Sequence, residues 1–189
     1  VTSIYTYAFY NSSIQSVKIG SGLTGINGCA FDGCDNLTEI SLPETLTSIG
    51  YEAFRDCINL GTIEFPESLI EISGYAFYGC NSLTSIKLPS NLQTLKYYAF
   101  GNCANLQSVW IPKTITNETS CTGSPYYDYY AGPFYGCGKL KSVTFADGIT
   151  NIPSGLFAGC TGIESIEIPD TVTSIYTYAF YNSSIQSVK

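Results

Sequence analysis

A phenylalanine recurs eight times along this chain of 189 residues, at almost constant intervals. The eight residues are Phe9, Phe31, Phe54, Phe77, Phe100, Phe134, Phe157 and Phe180. Only the interval between Phe100 and Phe134 is clearly longer than the others. A fixed period in the low twenties is typical of a solenoid, in which each repeat forms one coil and stacks on its neighbours. Residues 1–189 are therefore predicted to form a single repeat array, with an insertion at about 117–131.

Each repeat contains an apolar pattern that predicts a short strand. In the unit that follows Phe77, Leu83, Ile86 and Leu88 have the spacing L-x-x-I-x-L. The last two alternate with polar residues, which is typical of a strand with one face toward a core. Pro89 comes next and has no N–H to offer a neighbouring strand, so it ends the strand. Stacked repeats should bring these strands together as a parallel sheet.

A second apolar pair and a recurring corner complete the repeat. Leu92 and Leu95 are three positions apart, which fits a short extended segment or a helical turn. Ala99 and Phe100 then begin the corner. Two positions after each phenylalanine stand residues that tolerate positive φ, namely Asn11, Gly33, Asp56, Gly79, Asn102, Gly136, Gly159 and Asn182. This pattern predicts a left-handed corner that closes a short helical turn.

Six of the eight cysteines occupy one slot, three positions after a phenylalanine. They are Cys34, Cys57, Cys80, Cys103, Cys137 and Cys160. Equivalent side chains on stacked coils point in parallel directions, whereas a disulfide needs directions that converge. A column of buried free thiols is therefore expected, and the out-of-register Cys29 and Cys121 are also favoured as free thiols. Zinc and other metals are not expected, because C-x2-C pairs and histidine are absent from the sequence.

The combined pattern C-x-x-L-x-x-I-x-L-P-x-x-L-x-x-I-x-x-x-A-F resembles the BspA-type leucine-rich repeats. Residues 57–77, CINLGTIEFPESLIEISGYAF, match it closely. The resemblance implies a curved right-handed solenoid with the strands on its concave face. It also implies display at a cell surface or secretion, and adhesion to host proteins or other cells.

Composition excludes several functional classes. With eight Lys and Arg against 15 Asp and Glu, the chain lacks the basic surface that nucleic acids require. It also contains no apolar run long enough to insert into a membrane. The sequence has no histidine and no glycine-rich phosphate loop, and an open sheet offers no enclosed cleft to the carboxylate pair Glu164 and Glu167. No enzyme activity and no cofactor are therefore predicted.

The outward-facing strand residues define a candidate binding surface. The residue before the last apolar position forms the column Lys18, Ser41, Glu64, Lys87, Trp110, Thr144, Glu167 and Lys189. The candidate ligand-binding residues are Trp110, Lys87 and Glu64 on this column, together with Tyr126, Tyr127, Tyr129 and Tyr130 in the insertion. Exposed tryptophan often anchors interfaces, and Tyr-rich loops with Gly, Ser and Pro are common in recognition surfaces. The alternatives are that the insertion covers Trp110 and that the loop tyrosines pack against the solenoid.

These observations predict a non-catalytic module that binds a protein partner, such as a host matrix or cell-surface protein. The alternative is a passive stalk that projects another domain. A stalk should present a uniform surface, whereas a binder should gather its irregular residues on one accessible patch.

Residues 1–18, VTSIYTYAFYNSSIQSVK, are identical to residues 172–189. The two copies are offset along the chain by the same interval that separates Phe9 from Phe180. A longer super-repeat of about seven coils and a deliberately copied repeat both explain the identity. Neither copy carries a polar capping unit, so end-to-end self-association is a further expectation.

Overall fold

The computed structural model describes residues 1–115 and 131–189. Within these ranges the chain forms thirteen short strands and no helix, and every strand pair is parallel. The strands are β1 (Ser16–Lys18), β2 (Gly25–Ile26), β3 (Glu39–Ser41), β4 (Ser48–Ile49), β5 (Glu71–Ile72), β6 (Ser85–Lys87), β7 (Thr94–Leu95), β8 (Ser108–Ile111), β9 (Ser142–Phe145), β10 (Asn151–Ile152), β11 (Ser165–Ile166), β12 (Ser174–Ile175) and β13 (Ser187–Val188). The predicted parallel-strand solenoid is confirmed, with about seven turns. The described residues contain no helix that could cross a membrane.

One row of strands, the front ladder, consists of β1, β3, β6, β8, β9, β11 and β13. Its registers place equivalent repeat positions opposite one another, such as Ile86 beside Val109 and Val109 beside Val143. In β3 and β6 the central isoleucine is buried and its two neighbours are exposed, as the alternation predicts. Pro89 follows shortly after the end of β6, in agreement with its expected role.

A second row, the back ladder, consists of β2, β4, β5, β7, β10 and β12. The sequence pattern of these segments fitted either an extended segment or a helical turn. In the structure they are short extended strands that pair with one another. Ile26, Ile49, Ile72 and Leu95 succeed one another in register along its first four strands. The insertion separates β7 from β10 in the chain, and residues 116–130 lie outside the described part.

The phenylalanine column forms the centre of the core. Successive rings are nearly parallel, with centroids 5.0 to 6.0 Å apart along the whole series. The six interior rings are fully buried, whereas Phe9 and Phe180 at the two ends are half-buried. No single coil could bury these rings, because each ring is covered by the coils on either side of it.

The thiol column is also confirmed. All six in-register cysteines are buried and free, and so is Cys29, while Cys121 lies outside the described residues. Each thiol in the column donates to the carbonyl oxygen of the phenylalanine one coil earlier, as Cys80 does to Phe54 at 3.1 Å. Burial raises the pKa of the Cys80 thiol well above its usual range. The column therefore links neighbouring coils by neutral hydrogen bonds.

The expected short helical turns at the Ala-Phe corners are wrong. In the corner of Phe54, alternate amides donate in two directions: Arg55 N–H donates to Glu52 O within the turn, whereas Phe54 N–H donates to Ala76 O of the next coil. Positive φ values at two positions, such as 55° at both Glu52 and Asp56, produce this alternation. A helix needs consecutive right-handed residues, so the two left-handed residues prevent it. The corner instead adds a third set of hydrogen bonds between coils.

Candidate functional site

The front ladder places three predicted column residues side by side. Trp110 lies opposite Lys87 of the preceding coil and Thr144 of the following one. Its neighbours Val109 and Ile111 point into the core, so the indole stands on the outer face, where it is half-buried. The Lys87 Nζ lies 5.8 Å from the indole centroid, which is within the range of a cation–π contact.

The front ladder is interrupted at the coil that carries Glu64. Residues 61–65 form no strand, and their backbone groups make no hydrogen bond to either neighbouring coil. Gly61 begins this segment, and glycine weakens a strand because it has more conformational freedom to lose. Phe65 turns its ring toward the core, where it lies edge-on to Phe77 at 5.6 Å. The backbone of this coil is therefore unpaired on both sides, and a second break in the front ladder separates β9 from β11.

Two grooves flank the interruption, and Glu64 lines both of them. The first has a volume of about 470 Å³ and is bordered by the carboxylates of Glu39, Glu44 and Glu64. The second has a volume of about 360 Å³ and contains Glu64 and Lys87. The candidate residues Glu64, Lys87 and Trp110 consequently lie on three successive coils as one continuous row, called here the front row.

The remaining candidate residues, Tyr126, Tyr127, Tyr129 and Tyr130, lie outside the described residues. The structure fixes only where their segment leaves and rejoins the solenoid, at the buried residues Ile115 and Ala131. This interval falls where the back ladder would continue between β7 and β10, whereas Trp110 belongs to the front ladder. The association of the tyrosine loop with Trp110 stays a prediction.

A charged cluster at the corners of Phe31 and Phe54 was not anticipated. Asp32 is only 2% exposed and pairs with Arg55 at 2.9 Å, and Arg55 also pairs with Glu52 at 2.8 Å. Burial raises the pKa of Asp32, although Arg55 opposes the shift. One ligand atom from each of Cys29, Asp32 and Glu52 lies within 4.8 Å of the others, but the guanidinium already pairs with both carboxylates. The arrangement is therefore an ion pair between coils.

This cluster had a signal in the sequence. Asp32 and Arg55 each follow a corner phenylalanine directly, so they occupy the same slot one period apart. Opposite charges at one slot of adjacent coils must lie close together in a solenoid. Arg55 is also the only arginine in the chain.

Tyrosines line the outer edge of the corners. Tyr75 stacks on Tyr98 with centroids 4.8 Å apart, and it meets Tyr51 edge-on at 5.7 Å. Tyr98 continues the series to Tyr135 at 5.1 Å. These rings pack against one another, so much of this edge is an extension of the coil-to-coil packing.

Comparison with solved structures identifies similar folds. A leucine-rich repeat protein from Bacteroides ovatus aligns over 93% of this chain at 29% identity, with a TM-score of 0.72. A leucine-rich repeat protein from T. pallidum aligns over 92% at 28% identity, with a TM-score of 0.63. The pneumococcal vaccine antigen PcpA aligns over 93% with a TM-score of 0.62, but its 22% identity supports only the shared fold. The chain spans 45% of the length of the Bacteroides protein, 72% of the T. pallidum protein and 41% of PcpA.

Comparison with known families gives a specific assignment. No curated protein matches the chain. The profile of the BspA type leucine-rich repeat region matches residues 2–121 and 129–189, in six copies. This match includes nearly every coil, and the structure stacks the phenylalanines of successive coils and pairs β6, β8 and β9 in the register that the repeat predicts. The chain therefore belongs to the BspA-type leucine-rich repeat family.

Proposed function

We propose that this chain is a non-catalytic protein-binding module that recognises its partner through the front ladder, and that it serves adhesion at a cell surface. Repeat domains of this family are commonly surface modules for protein–protein interaction and are generally non-enzymatic. The single observation that supports the proposal is the front row. It places the carboxylate of Glu64, the ammonium group of Lys87 and the only tryptophan of the chain, Trp110, on three adjacent coils.

The chemistry of the front row favours a partner that presents an extended segment with basic side chains. The carboxylates of Glu39, Glu44 and Glu64 border the larger groove, and the chain carries a net charge of −7. The backbone of residues 61–65 offers donors and acceptors that no neighbouring coil uses. An extended segment that lies along the two grooves would meet these groups from the outer face, while its cations meet the carboxylates.

Trp110 would anchor the complex at the adjacent end of the row. Tryptophan is enriched among residues that dominate binding energy, since it buries a large and rigid surface. Lys87 holds the indole from one side, which reduces the ordering cost on binding. The tyrosine loop is proposed to add contacts to the same partner.

A binding comparison with matched variants tests the proposal. The chain would be immobilised and exposed to a panel of purified extracellular-matrix proteins, first as the wild type and then as Trp110→Ala and Glu64→Gln. Loss of a complete anchor should weaken binding by about tenfold or more. Glu164→Gln and Glu167→Gln are the controls, because both side chains are exposed on a later coil, away from Trp110 and from the grooves.

The outcome separates a binder from a passive stalk. Selective loss with Trp110→Ala and Glu64→Gln, with the controls unchanged, supports the proposed surface. If all four variants bind every partner as strongly as the wild type does, the front row is not the binding surface. If the wild type binds no protein of the panel, the passive stalk is favoured.

A further inference from the structure

A further depression of the front ladder, on later coils than the two grooves, differs from them in charge. It has a volume of about 600 Å³ and is called here the lysine pocket. Its lining residues are Gln107, Ser108, Lys139, Lys141 and Ser142. Glutamates border both grooves, whereas no acidic and no apolar residue of the described chain borders the lysine pocket. Two of the eight basic residues of the chain therefore meet at a site without a carboxylate in its lining.

The pairing of β8 with β9 forms the base of the lysine pocket. Ser108 lies opposite Ser142 in this register, so the two hydroxyl side chains stand next to each other on the outer face. The backbone N–H groups of Lys141 and Ser142 both donate to the Gln107 carbonyl oxygen at 3.0 Å. The lining side chains are therefore carried by two coils that are joined directly beneath them.

Lys139 enters the pocket through a change at one repeat slot. Asn59 and Asn105, each two positions after a column cysteine, donate to a carbonyl oxygen of the preceding coil, as Asn105 does to Asn81 at 2.8 Å. Lys139 occupies this slot one coil later, and its Nζ donates to Asn105 Oδ1 at 2.7 Å. Among the described residues only Asn105 accepts from this ammonium group. An ammonium group has three N–H donors, so two of them remain for a ligand.

Lys141 has no ionic partner, although the sequence suggests one. Glu164 occupies the same slot on the next coil, as Arg55 does relative to Asp32. The front ladder is broken between β9 and β11, however, and every ion pair among the described residues involves Arg55. The exposed ammonium group of Lys141 is therefore free to meet an anion from outside the chain.

We propose that the lysine pocket binds a short saccharide that ends in an anionic sugar, with the carboxylate or sulfate of that sugar against Lys139 and Lys141. The hydroxyl groups of the sugar then face Ser108, Ser142 and the carboxamide of Gln107. Hydroxyl and carboxamide groups both donate and accept hydrogen bonds, as the hydroxyl groups of a sugar do. This site goes beyond the protein-binding function proposed above and does not depend on it.

The size and lining of the pocket favour this ligand over other anions. Small-molecule sites have volumes of about 300–1,000 Å³, so the pocket accommodates a ligand larger than a lone sulfate or phosphate ion. An acidic peptide would need an apolar anchor site, which the lining does not provide. The net charge of −7 and Glu164 on the next coil disfavour a long polyanion, whereas a short saccharide meets only the two lysines.

An NMR titration of the whole, nitrogen-labelled chain tests the proposal. The probes are sialyllactose, whose terminal sugar carries a carboxylate, lactose sulfate, and uncharged lactose as the control. Saturable shifts should appear at the backbone amides of the five lining residues with at least one charged sugar, and the tighter of the two identifies the preferred anion. Lactose should bind at least about tenfold more weakly, because it makes no hydrogen bond between charged groups.

Matched lysine variants locate the site. Lys139→Gln and Lys141→Gln should each weaken binding of the charged sugar by about tenfold, because each removes one charged donor. Lys113→Gln is the control, since Lys113 is exposed outside the pocket and its loss changes the net charge equally. The dispersion of the amide signals shows that each variant is folded.

Several outcomes of the titration would overturn the proposal. These are the absence of saturable shifts with both charged sugars at about 20 mM, wild-type affinity in either variant of the pocket lysines, and an equal loss of affinity in Lys113→Gln. Tighter binding of a short polyglutamate peptide than of either charged sugar would likewise assign the pocket to an acidic protein segment and reject the saccharide.

Discussion

Removing one ring from the middle of the phenylalanine column should show how strongly neighbouring coils depend on one another. Phe77 is fully buried and lies between Phe54 and Phe100, with centroids 5.1 Å away on both sides. Phe77→Ala deletes the ring, leaves a cavity that the flanking rings cannot fill, and should cost roughly 3–5 kcal/mol. Two stacked contacts are lost as well, each of which contributes about 0.5–1.5 kcal/mol beyond simple burial, so the upper part of that range is expected.

Urea unfolding, followed by circular dichroism and linear extrapolation, measures the change in free energy. Phe180→Ala is the matched control, because Phe180 is half-buried and has one stacked neighbour, Phe157, at 5.7 Å. Its substitution should cost about half as much as that of Phe77. A loss under about 1 kcal/mol at Phe77, or equal losses at both positions, would refute the argument that the rings form one shared core.

Three further predictions concern the corners, the thiols and the ion pair. Gly79→Ala should lower the free energy of unfolding by about 1–3 kcal/mol, since φ at Gly79 is +73° and the new Cβ would meet the Asp56 side chain. Gly20→Ala is the control: a Cβ at Gly20 would have no atom within 4 Å, so the same unfolding assay should show almost no change. The six buried thiols of the column should not react with a thiol reagent such as DTNB until the chain unfolds, because burial raises their pKa and excludes the reagent. Rapid labelling of the column cysteines in the native form of a Cys121→Ser variant would contradict this expectation. The raised pKa of Asp32 means that this carboxylate binds a proton more readily in the folded chain than in the unfolded chain. The contribution of Asp32 to stability therefore falls as the pH rises above the ordinary pKa of 3.8. Asp32→Asn should make the free energy of unfolding depend less steeply on pH in this range, and an unchanged slope would contradict the shift.

Most of the scaffold was predictable because the repeat fixes which residues are neighbours. Once the period is known, Phe54 must lie beside Phe77, and each in-register cysteine must lie beside its equivalents. Pairing within the front ladder follows from the same rule. The ion pair between Asp32 and Arg55 could have been predicted in the same way, since the prediction needs only a comparison of one slot in two adjacent repeats.

The corners could not be predicted as fully. The glycine, asparagine or aspartate after each phenylalanine indicated positive φ, and that prediction is confirmed wherever the corners are described, for example at Asn102. The second left-handed position, two places before the phenylalanine, is occupied by residues such as Tyr75, Cys29 and Glu52. These residue types rarely adopt positive φ, so the sequence gives no sign of it. Hydrogen bonds to the neighbouring coil hold the backbone in this conformation.

The grooves beside Glu64 were equally hidden. Residues 60–65 fit the strand pattern as well as any other repeat, with Leu60, Ile63 and Phe65 at the apolar positions. Gly61 weakens this strand, but one glycine does not predict that the hydrogen bonds to both neighbouring coils are absent. The sequence identified Glu64 as a column residue, but its place between two grooves required the structure.

The central claim is that successive coils share one stacked aromatic core. A NOESY spectrum of the chain with labelled phenylalanine rings tests it most directly, since the rings of Phe54 and Phe77 lie 5.1 Å apart and those of Phe77 and Phe100 are equally close. Cross-peaks should join each ring to the next along the column, and none should join alternate rings. Absence of the Phe54–Phe77 and Phe77–Phe100 cross-peaks, in a folded sample with assigned rings, would contradict the stacked solenoid and the binding surface that is built on it.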